Sequence, residues 1–405
     1  MLIKKILINT KIQFLVFVCI VSFLNAVEIK DVFIVSSINN DIATQSPKFA
    51  LESEKINLYC LVRANSGQKV AYITSAKNIK IGGESIPPTG IKEWNESELG
   101  KIEINWYKVE PYMKHNILKS NEPEFPEFEY YANAHLPFCS KNRGWIGYET
   151  IEYKETELSN FKDRWEIDAD AHPTDKEYDI NNGLGVMRYK VKIIFTDKNG
   201  KKQILSTPGK ESTDYCGITQ KVHRINFREN NSYLGWLSSY FNVPGVFGSV
   251  DKQVNEYRGI DCADLVVAGY NKYSNKNIQY TNVKGLISLL KKIIDNGYLY
   301  PDGRILNSTK ENAGSVKIEF GKNIRLGDVI FFDYPAERNN NPYGYWDHVG
   351  IIYNDSGEDD KANGILDKYD SILHAGFAEP HLSPLNDSGF VTDSPTKIMI
   401  MRWKN

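Results

Sequence analysis

The chain has 405 residues, of which 41% are hydrophobic and 25% are charged, and its formal net charge is −2. That length exceeds one ordinary domain and predicts two folded units of roughly 150–200 residues each. The balanced charge gives no indication of a nucleic-acid partner, which requires a basic surface. The 24 Tyr and 7 Trp residues are typical of β-rich domains or of a groove that binds carbohydrate or peptide.

Residues 1–26 have the pattern of a secretory signal peptide. Lysines precede an apolar run at residues 12–24, and Ala26 provides the small residue of a cleavage site. A retained membrane anchor is the alternative, but the run is short for a bilayer span. Cys19 follows Val18 rather than a small residue, which argues against a lipoprotein site. We therefore expect export to the periplasm, cell envelope or extracellular space, with membrane contact only through an uncleaved signal segment.

Residues 27–225 predict a β-rich domain, for which an immunoglobulin-like sandwich is one candidate. β-branched and aromatic residues alternate along its segments, and Asn199-Gly200 predicts a hairpin turn between two strands. The stretch "NNGLGVMRYKVKIIF" resembles the penultimate strand of such a sandwich, with Tyr189 at the tyrosine-corner position. Val191 stands where antibody domains have a cysteine, so this candidate lacks that disulfide. The predicted strands are 55–64, 69–76, 101–109 and the two halves of 187–207.

Residues 226–405 predict an α+β domain, because helical spacing comes first and a run of antiparallel strands follows. Asp261 is placed to cap a helix that begins at Cys262. Residues 282–298 predict a longer amphipathic helix closed by Gly297. The other predicted elements are a short helix within 230–241, capped by Asn231 or Ser232, and strands at 327–334, 347–354, 369–376 and 397–403.

Cys262, in "YRGIDCADLVVAGY", is open to three interpretations: a small buried hydrophobe, half of a disulfide, or a nucleophile. The N–H groups and the dipole of a first helical turn stabilise a thiolate and can hold an oxyanion. The carboxylate of Asp261 favours the neutral thiol unless capping engages it. Cys60, Cys139 and Cys216 also remain after signal cleavage, so a nucleophilic Cys262 leaves at most one disulfide among those three.

A thiol nucleophile needs a base, and the base needs a group that orients it. His348 begins the apolar strand "DHVGII", and His374 lies on the next strand, "SILHAG". Asp347 is a poorer orienting group, because successive strand residues point to opposite faces. His381 follows Glu379-Pro380, which predicts a loop. We expect loss of His374 to lower turnover strongly, though less than loss of His348, and loss of His381 to do little.

Four motifs in this order, "GIDCADLV", "LGDVIFF", "DHVGII" and "ILHAG", resemble the NlpC/P60 family of cell-wall cysteine peptidases. Related CHAP amidases share the second and third motifs. The resemblance covers roughly residues 240–403 and implies a papain-like core. It assigns Cys262 as nucleophile, His348 as base and His374 as the orienting residue. It also implies peptidoglycan stem peptides as substrate, and we expect residues 226–405 to fold alone.

Three departures from the family pattern concern the residues around the cysteine. Ala263-Asp264 replaces the usual Ser-Gly, and Gly245 stands where a tyrosine helps to line the site. A longer approach to His348 carries Tyr345 and Trp346, which form either one wall of the groove or an ordinary surface loop. Asp261, Tyr345 and Trp346 are therefore the candidate substrate-binding residues. We expect no cofactor and no metal, because the histidine spacings do not converge on an ion and "CxxC" pairs are absent from the sequence.

The leading hypothesis is an exported cysteine hydrolase that cleaves amide bonds in peptidoglycan stem peptides. The alternative is an envelope binding or adhesion protein, in which the β-rich domain acts and the papain-like domain is inactive. A third hypothesis is another thiol reaction, such as acyl transfer or cleavage of a protein target. The bond that is cut, the ligand of the β-rich domain and the oligomeric state stay open.

Overall fold

The protein is mostly β: strands make up 43% and helices 12% of the structure. The computed structural model describes residues 27–66, 69–91, 94, 96–113, 151–307, 314–335, 346–376, 378–387, 389–391 and 393–404. The α+β, papain-like class expected from the sequence is therefore wrong, because helices are short and few beside several sheets. The signal peptide, Cys139 and Tyr345 lie outside the described residues. Within the described part of the chain, no helix is long and apolar enough to cross a bilayer.

The N-terminal part consists mainly of two sheets. One sheet has the strand order β7-β6-β2-β1-β4-β5-β8, with β11 also paired to β4, and the other has the order β10-β9-β12-β16-β3, with β13 paired to β12. A small β14-β15 ribbon and a short helix, α1 (Glu96–Leu99), accompany them. The strands are β1 (Val27–Ile38), β2 (Ala43–Thr44), β3 (Lys48–Leu51), β4 (Ile56–Ser66), β5 (Lys69–Thr74), β6 (Ile79–Ile81), β7 (Glu84–Ile86), β8 (Thr89–Gly90), β9 (Lys101–Pro111), β10 (Tyr153–Glu157), β11 (Glu166–Asp168), β12 (Gly185–Thr196), β13 (Lys202–Ser206), β14 (Thr213–Asp214), β15 (Gly217–Ile218) and β16 (His223–Arg228).

The inner faces of these two sheets form one hydrophobic core. Trp106 of β9 and Tyr189 of β12 are fully buried in it, facing apolar residues of β1 and β4. The Tyr189 hydroxyl donates to the Asp170 carbonyl at 2.7 Å and accepts from the Asp170 N–H at 3.0 Å, which satisfies a buried polar group. The predicted hairpin is confirmed, because β12 pairs with β13 around Gly200, whose φ of 79° suits a glycine.

The C-terminal part places short helices against a third sheet, of order β18-β17-β23-β19-β20-β21-β22. The predicted caps are confirmed: Ser232 accepts from the N–H of Gly235 at 3.2 Å, and Asp261 accepts from the N–H of Asp264 at 2.9 Å. The elements are α2 (Tyr233–Ser238), α3 (Asp251–Asn255), α4 (Cys262–Ser274), α5 (Val283–Leu289), β17 (Leu290–Leu299), β18 (Ile305–Leu306), β19 (Val329–Asp333), β20 (His348–Asn354), β21 (Ser371–His374), β22 (His381–Pro384) and β23 (Thr396–Trp403).

The helix predicted for residues 282–298 is wrong in its second half. Asn282 caps α5 as an N-terminal residue should, but the helix ends at Leu289 and the chain continues as β17. Strand β17 pairs antiparallel with β23, from Leu290 opposite Trp403 to Leu299 opposite Thr396. The hydrogen-bond ladder with β23 outweighs the local helical spacing of these residues. Because β23 lies about 100 residues further along the chain, the local sequence gives no sign of this pairing.

The two parts of the chain meet through hydrogen bonds and shared apolar packing. Strand β16 crosses the expected boundary at 225/226, and its residue Asn226 pairs with Val186 of β12. Val186 is buried in the hydrophobic cluster of the C-terminal part, and its N–H donates to the Phe241 carbonyl at 2.9 Å. The buried guanidinium of Arg188 donates to the Tyr257 carbonyl at 2.5 Å. The N-terminal part therefore contributes to the packing of the C-terminal part.

This shared packing predicts that residues 226–405 alone are much less stable than the whole chain, contrary to the sequence-based expectation. Removing the N-terminal part exposes apolar area around Phe241 and Tyr257 and removes the protein hydrogen bonds to their two carbonyls, at a cost of about 4 kcal/mol. We expect the melting temperature of the fragment to lie about 10 °C or more below that of residues 27–405, measured by circular dichroism. Equal melting temperatures would show that the parts fold independently.

Candidate active site

Helix α4 begins at Cys262 because Asp261 caps it and the preceding loop is held beside it. Ser249 accepts a hydrogen bond from the N–H of Asp261 at 3.0 Å. The N–H of Val246 donates to the carbonyl of Ile260 at 2.9 Å, so the 244–249 loop runs alongside the helix start. Cys262 is half-buried there, while the next residues of the helix are fully buried. The thiol is thus fixed at a helix N-terminus on the edge of the core.

His348 and His374 lie on neighbouring strands, β20 and β21, and their rings meet. Nε2 of His348 is 3.0 Å from Nδ1 of His374, and the two rings are nearly perpendicular at a centroid distance of 5.1 Å. Gly350 makes this close approach of the strands feasible. A Cβ at Gly350 would lie 2.5 Å from Cγ2 of Ile372, closer than non-bonded carbon atoms can approach. The structure therefore brings together the two histidines that the sequence predicted to be base and orienting residue.

The thiol of Cys262 faces the same strand. The backbone N–H of Val349, the residue after His348, lies close enough to the sulfur to lower the pKa of the thiol, as does the N–H of Ala263. Burial has the larger and opposite effect, and the nearby carboxylate of Asp261 adds to it, so the pKa of Cys262 lies well above its ordinary value. Burial therefore favours the neutral thiol of Cys262.

The contact between the histidines is compatible with Nδ1 of His348 as the nitrogen that accepts a proton. If Nε2 of His348 carries a proton, it donates to Nδ1 of His374, and Nδ1 of His348 is the nitrogen with a lone pair. His374 then carries its own proton on Nε2. The same hydrogen bond persists when His348 becomes doubly protonated, so His374 stabilises the imidazolium by accepting from it.

His381 was expected in a loop, and that expectation is wrong. It is the first residue of β22, and it pairs directly with His374 across the β21–β22 ladder. The rings of His374 and His381 are 4.3 Å apart between centroids. Nδ1 of His381 donates to the carbonyl of Glu379 at 2.7 Å, and burial lowers the pKa of His381. The sequence "HLSP" gave no signal for this strand, because its buried positions are the polar residues His381 and Ser383 and its apolar residue Leu382 is exposed.

Asp261 and Asp264 flank the cysteine, and both carboxyl groups are engaged within the protein. One oxygen of Asp261 accepts the N–H of Asp264, so the predicted substrate-binding carboxylate serves first as a helix cap. Asp264 is buried and accepts from Oγ of Ser249 at 2.6 Å. Burial raises the pKa of both acids. Asp264 is therefore a polar buried residue at the position where the family has glycine, and sequence analysis gave Ser249 no role.

Two further predicted positions lie near the site. Trp346 packs against the core beneath β20, with its ring 6.1 Å from that of Phe331 and with Lys397 5.3 Å above it. A Cβ at Gly245 would lie 2.0 Å from the carbonyl oxygen of Ala378, so no side chain fits there. The tyrosine that lines the site in the family has no counterpart at this position.

Asp328, from the motif "LGDVIFF", is a structural residue. Its carboxylate is fully buried and accepts two hydrogen bonds from the guanidinium of Arg402, at 2.6 and 2.7 Å. It also accepts the backbone N–H of Arg325 at 2.9 Å. Because Arg402 belongs to β23 and Asp328 precedes β19, this ion pair joins the loop to the centre of the sheet that carries the histidines.

Among the described residues, no group of three or more His, Cys, Asp or Glu side chains is placed to hold a metal ion. The three cysteines in that part of the chain, Cys60, Cys216 and Cys262, form no disulfide. No family model, curated protein or solved structure matches the chain. What the protein does must therefore be inferred from its own site: a thiol at a helix start, facing a strand whose first histidine contacts a second histidine.

Proposed function

We propose that this protein is a cysteine hydrolase that cleaves amide bonds, with peptidoglycan stem peptides as its substrate class. The observation that carries the proposal is the 3.0 Å contact between His348 and His374, with the Cys262 thiol facing the strand that begins at His348. A nucleophile, a base and an orienting group on adjoining elements are the parts that covalent amide hydrolysis needs. The substrate class rests on the four ordered motifs and the expected export.

The reaction begins with a proton transfer from the thiol. Nδ1 of His348 takes the S–H proton as the sulfur attacks the carbonyl carbon, and the oxyanion is held by first-turn N–H groups such as that of Ala263. The C–N bond then breaks as the imidazolium of His348 returns the proton to the leaving amine. A water molecule, deprotonated by the same nitrogen, attacks the thioester. The C–S bond breaks, the carboxylic acid product leaves, and the sulfur regains its proton.

The buried setting of Cys262 shapes this sequence. A neutral thiol does not accumulate as a thiolate–imidazolium pair, so attack and proton transfer occur together. The stabilisation of the imidazolium by His374 is then needed in the transition state, not in the resting enzyme, which is where it contributes to rate. In this reaction the base must be the neutral ring of His348, because only that form can accept the thiol proton.

Purified sacculi and mature protein test the proposal directly. We expect soluble peptides with new amino termini, identified by mass spectrometry, and none when Cys262→Ser replaces the native protein. A matched variant, Cys216→Ala, removes a fully buried thiol of the N-terminal part and should release the same peptides. If sacculi stay intact while an unrelated protein is cut, the thiol chemistry stands and the substrate class is wrong. If both variants and the native protein bind sacculi equally without cleavage, the protein is an envelope binding protein.

A further inference from the structure

The third histidine of the site, His381, contacts His374. Its ring is 4.3 Å from that of His374, and the ring of Phe390 is 4.7 Å from that of His374, between centroids. His374 therefore packs against two rings while its Nδ1 contacts His348. Both His374 and His381 are buried, so neither ring can turn without moving its neighbours.

The position of His381 is itself fixed by the backbone. Its Nδ1–H donates to the carbonyl of Glu379 two residues earlier, and the β22 register places it directly opposite His374. That hydrogen bond assigns the proton to Nδ1, so Nε2 has the lone pair. A neutral ring in this place packs against His374 without adding a positive charge behind the base.

We propose that His381 is a positioning residue of this site: its ring holds His374 in the orientation that accepts a hydrogen bond from His348. The inference rests on the proposed function, because it assigns a role within that hydrolytic site. It reverses the sequence-based expectation that loss of His381 has little effect. The chemistry is indirect, since His381 contacts the orienting residue and not the thiol.

The consequence is a change in the proton affinity of His348. An accepting Nδ1 on His374 favours the protonated form of His348; a ring of His374 that has turned away no longer does so. Removing His381 should therefore move the acidic limb of the rate profile to lower pH. Among the described residues, the titratable groups around this site include Cys262 on α4, Glu379 before β22 and Asp387 after it, and His381→Ala leaves these side chains in place.

The experiment compares His381→Ala, His381→Phe and Leu382→Ala. Leu382 is the exposed neighbour on the same strand and controls for damage to β22. We expect His381→Ala to lower kcat about tenfold with KM changed less than about twofold. We also expect it to move the acidic limb of the pH–rate profile to lower pH. We expect His381→Phe, which keeps a buried ring, to leave the acidic limb of the pH–rate profile near the pH at which the native protein has it. Leu382→Ala should match the native protein, and His374→Ala should exceed the effect of His381→Ala.

A second readout separates this inference from the proposed function. The rate at which iodoacetamide alkylates Cys262 depends on the same proton transfer to His348, and it needs no amide substrate. If the native protein hydrolyses nothing but His381→Ala shifts the alkylation profile, the function fails and the positioning role stands. If His381→Ala leaves both profiles unchanged, or if His381→Phe shifts them as far as alanine does, the positioning role of the ring is refuted.

Discussion

Cys262→Ala is expected to reduce kcat for amide hydrolysis by about 10⁴-fold or more, because it removes the atom that forms the covalent intermediate. Folding should be nearly unaffected. The side chain is half-buried at the start of α4, the cap by Asp261 stays in place, and alanine favours the helix. The melting temperature should therefore stay within about 3 °C of the native value. Steady-state kinetics on a stem peptide and a thermal melt measure the two effects.

Thiol labelling provides the matched control. Cys60 and Cys216 are fully buried in the N-terminal part, whereas Cys262 is only half-buried at the start of α4. Iodoacetamide should react with Cys262 in the folded protein and leave those two thiols unmodified. Cys216→Ala should keep its activity although it loses some packing. Full activity in Cys262→Ala, or equal labelling of all three thiols in the folded protein, would remove the catalytic assignment.

Asp328→Ala is expected to lower the free energy of unfolding by about 3–5 kcal/mol, because it leaves the guanidinium of Arg402 without its carboxylate. Both oxygens of Asp328 are engaged, and the group is inaccessible to solvent. Arg325 supplies the matched control. Its guanidinium lies 4.0 Å from the same carboxylate but its side chain is 61% exposed. Arg325→Ala should therefore cost less than about 1 kcal/mol.

Urea unfolding of the two variants measures the difference, provided that each shows one cooperative transition. Substitution of both partners, Asp328 and Arg402, by apolar residues of similar volume should recover much of the loss, because no unpaired charge then remains. If Asp328→Ala and Arg325→Ala lower the free energy of unfolding by equally small amounts, the ion pair between Asp328 and Arg402 does not stabilise the sheet. Asp328 would then need another role.

The parts of the site that follow from local pattern were predicted from the sequence. The cap by Asp261 and the strands that begin near His348 and end near His374 depend on residues within a few positions of one another. Side-chain capping and two-residue alternation are local effects, and the sequence shows them directly. The pairing of the two histidines also follows from their placement on consecutive strands.

The parts that depend on distant partners were missed. Residues 290–299 have helical spacing, yet they form β17 because β23 pairs with them. His381 follows a proline, yet it enters a strand because His374 lies opposite it. The ion pair between Asp328 and Arg402 likewise joins residues far apart in the chain. Such long-range contacts stabilise the folded chain more than local secondary-structure propensity does, but no local sequence pattern predicts them.

The burial that raises the pKa of the Cys262 thiol has a consequence for its oxidation. Peroxides and disulfides attack thiolates much faster than thiols, and they convert an exposed thiolate to sulfenic acid or a mixed disulfide. A thiol whose pKa is raised by burial offers less thiolate to such oxidants than an exposed cysteine does. The place of Cys262 at the start of α4 is therefore expected to slow its oxidation relative to that of a surface thiol.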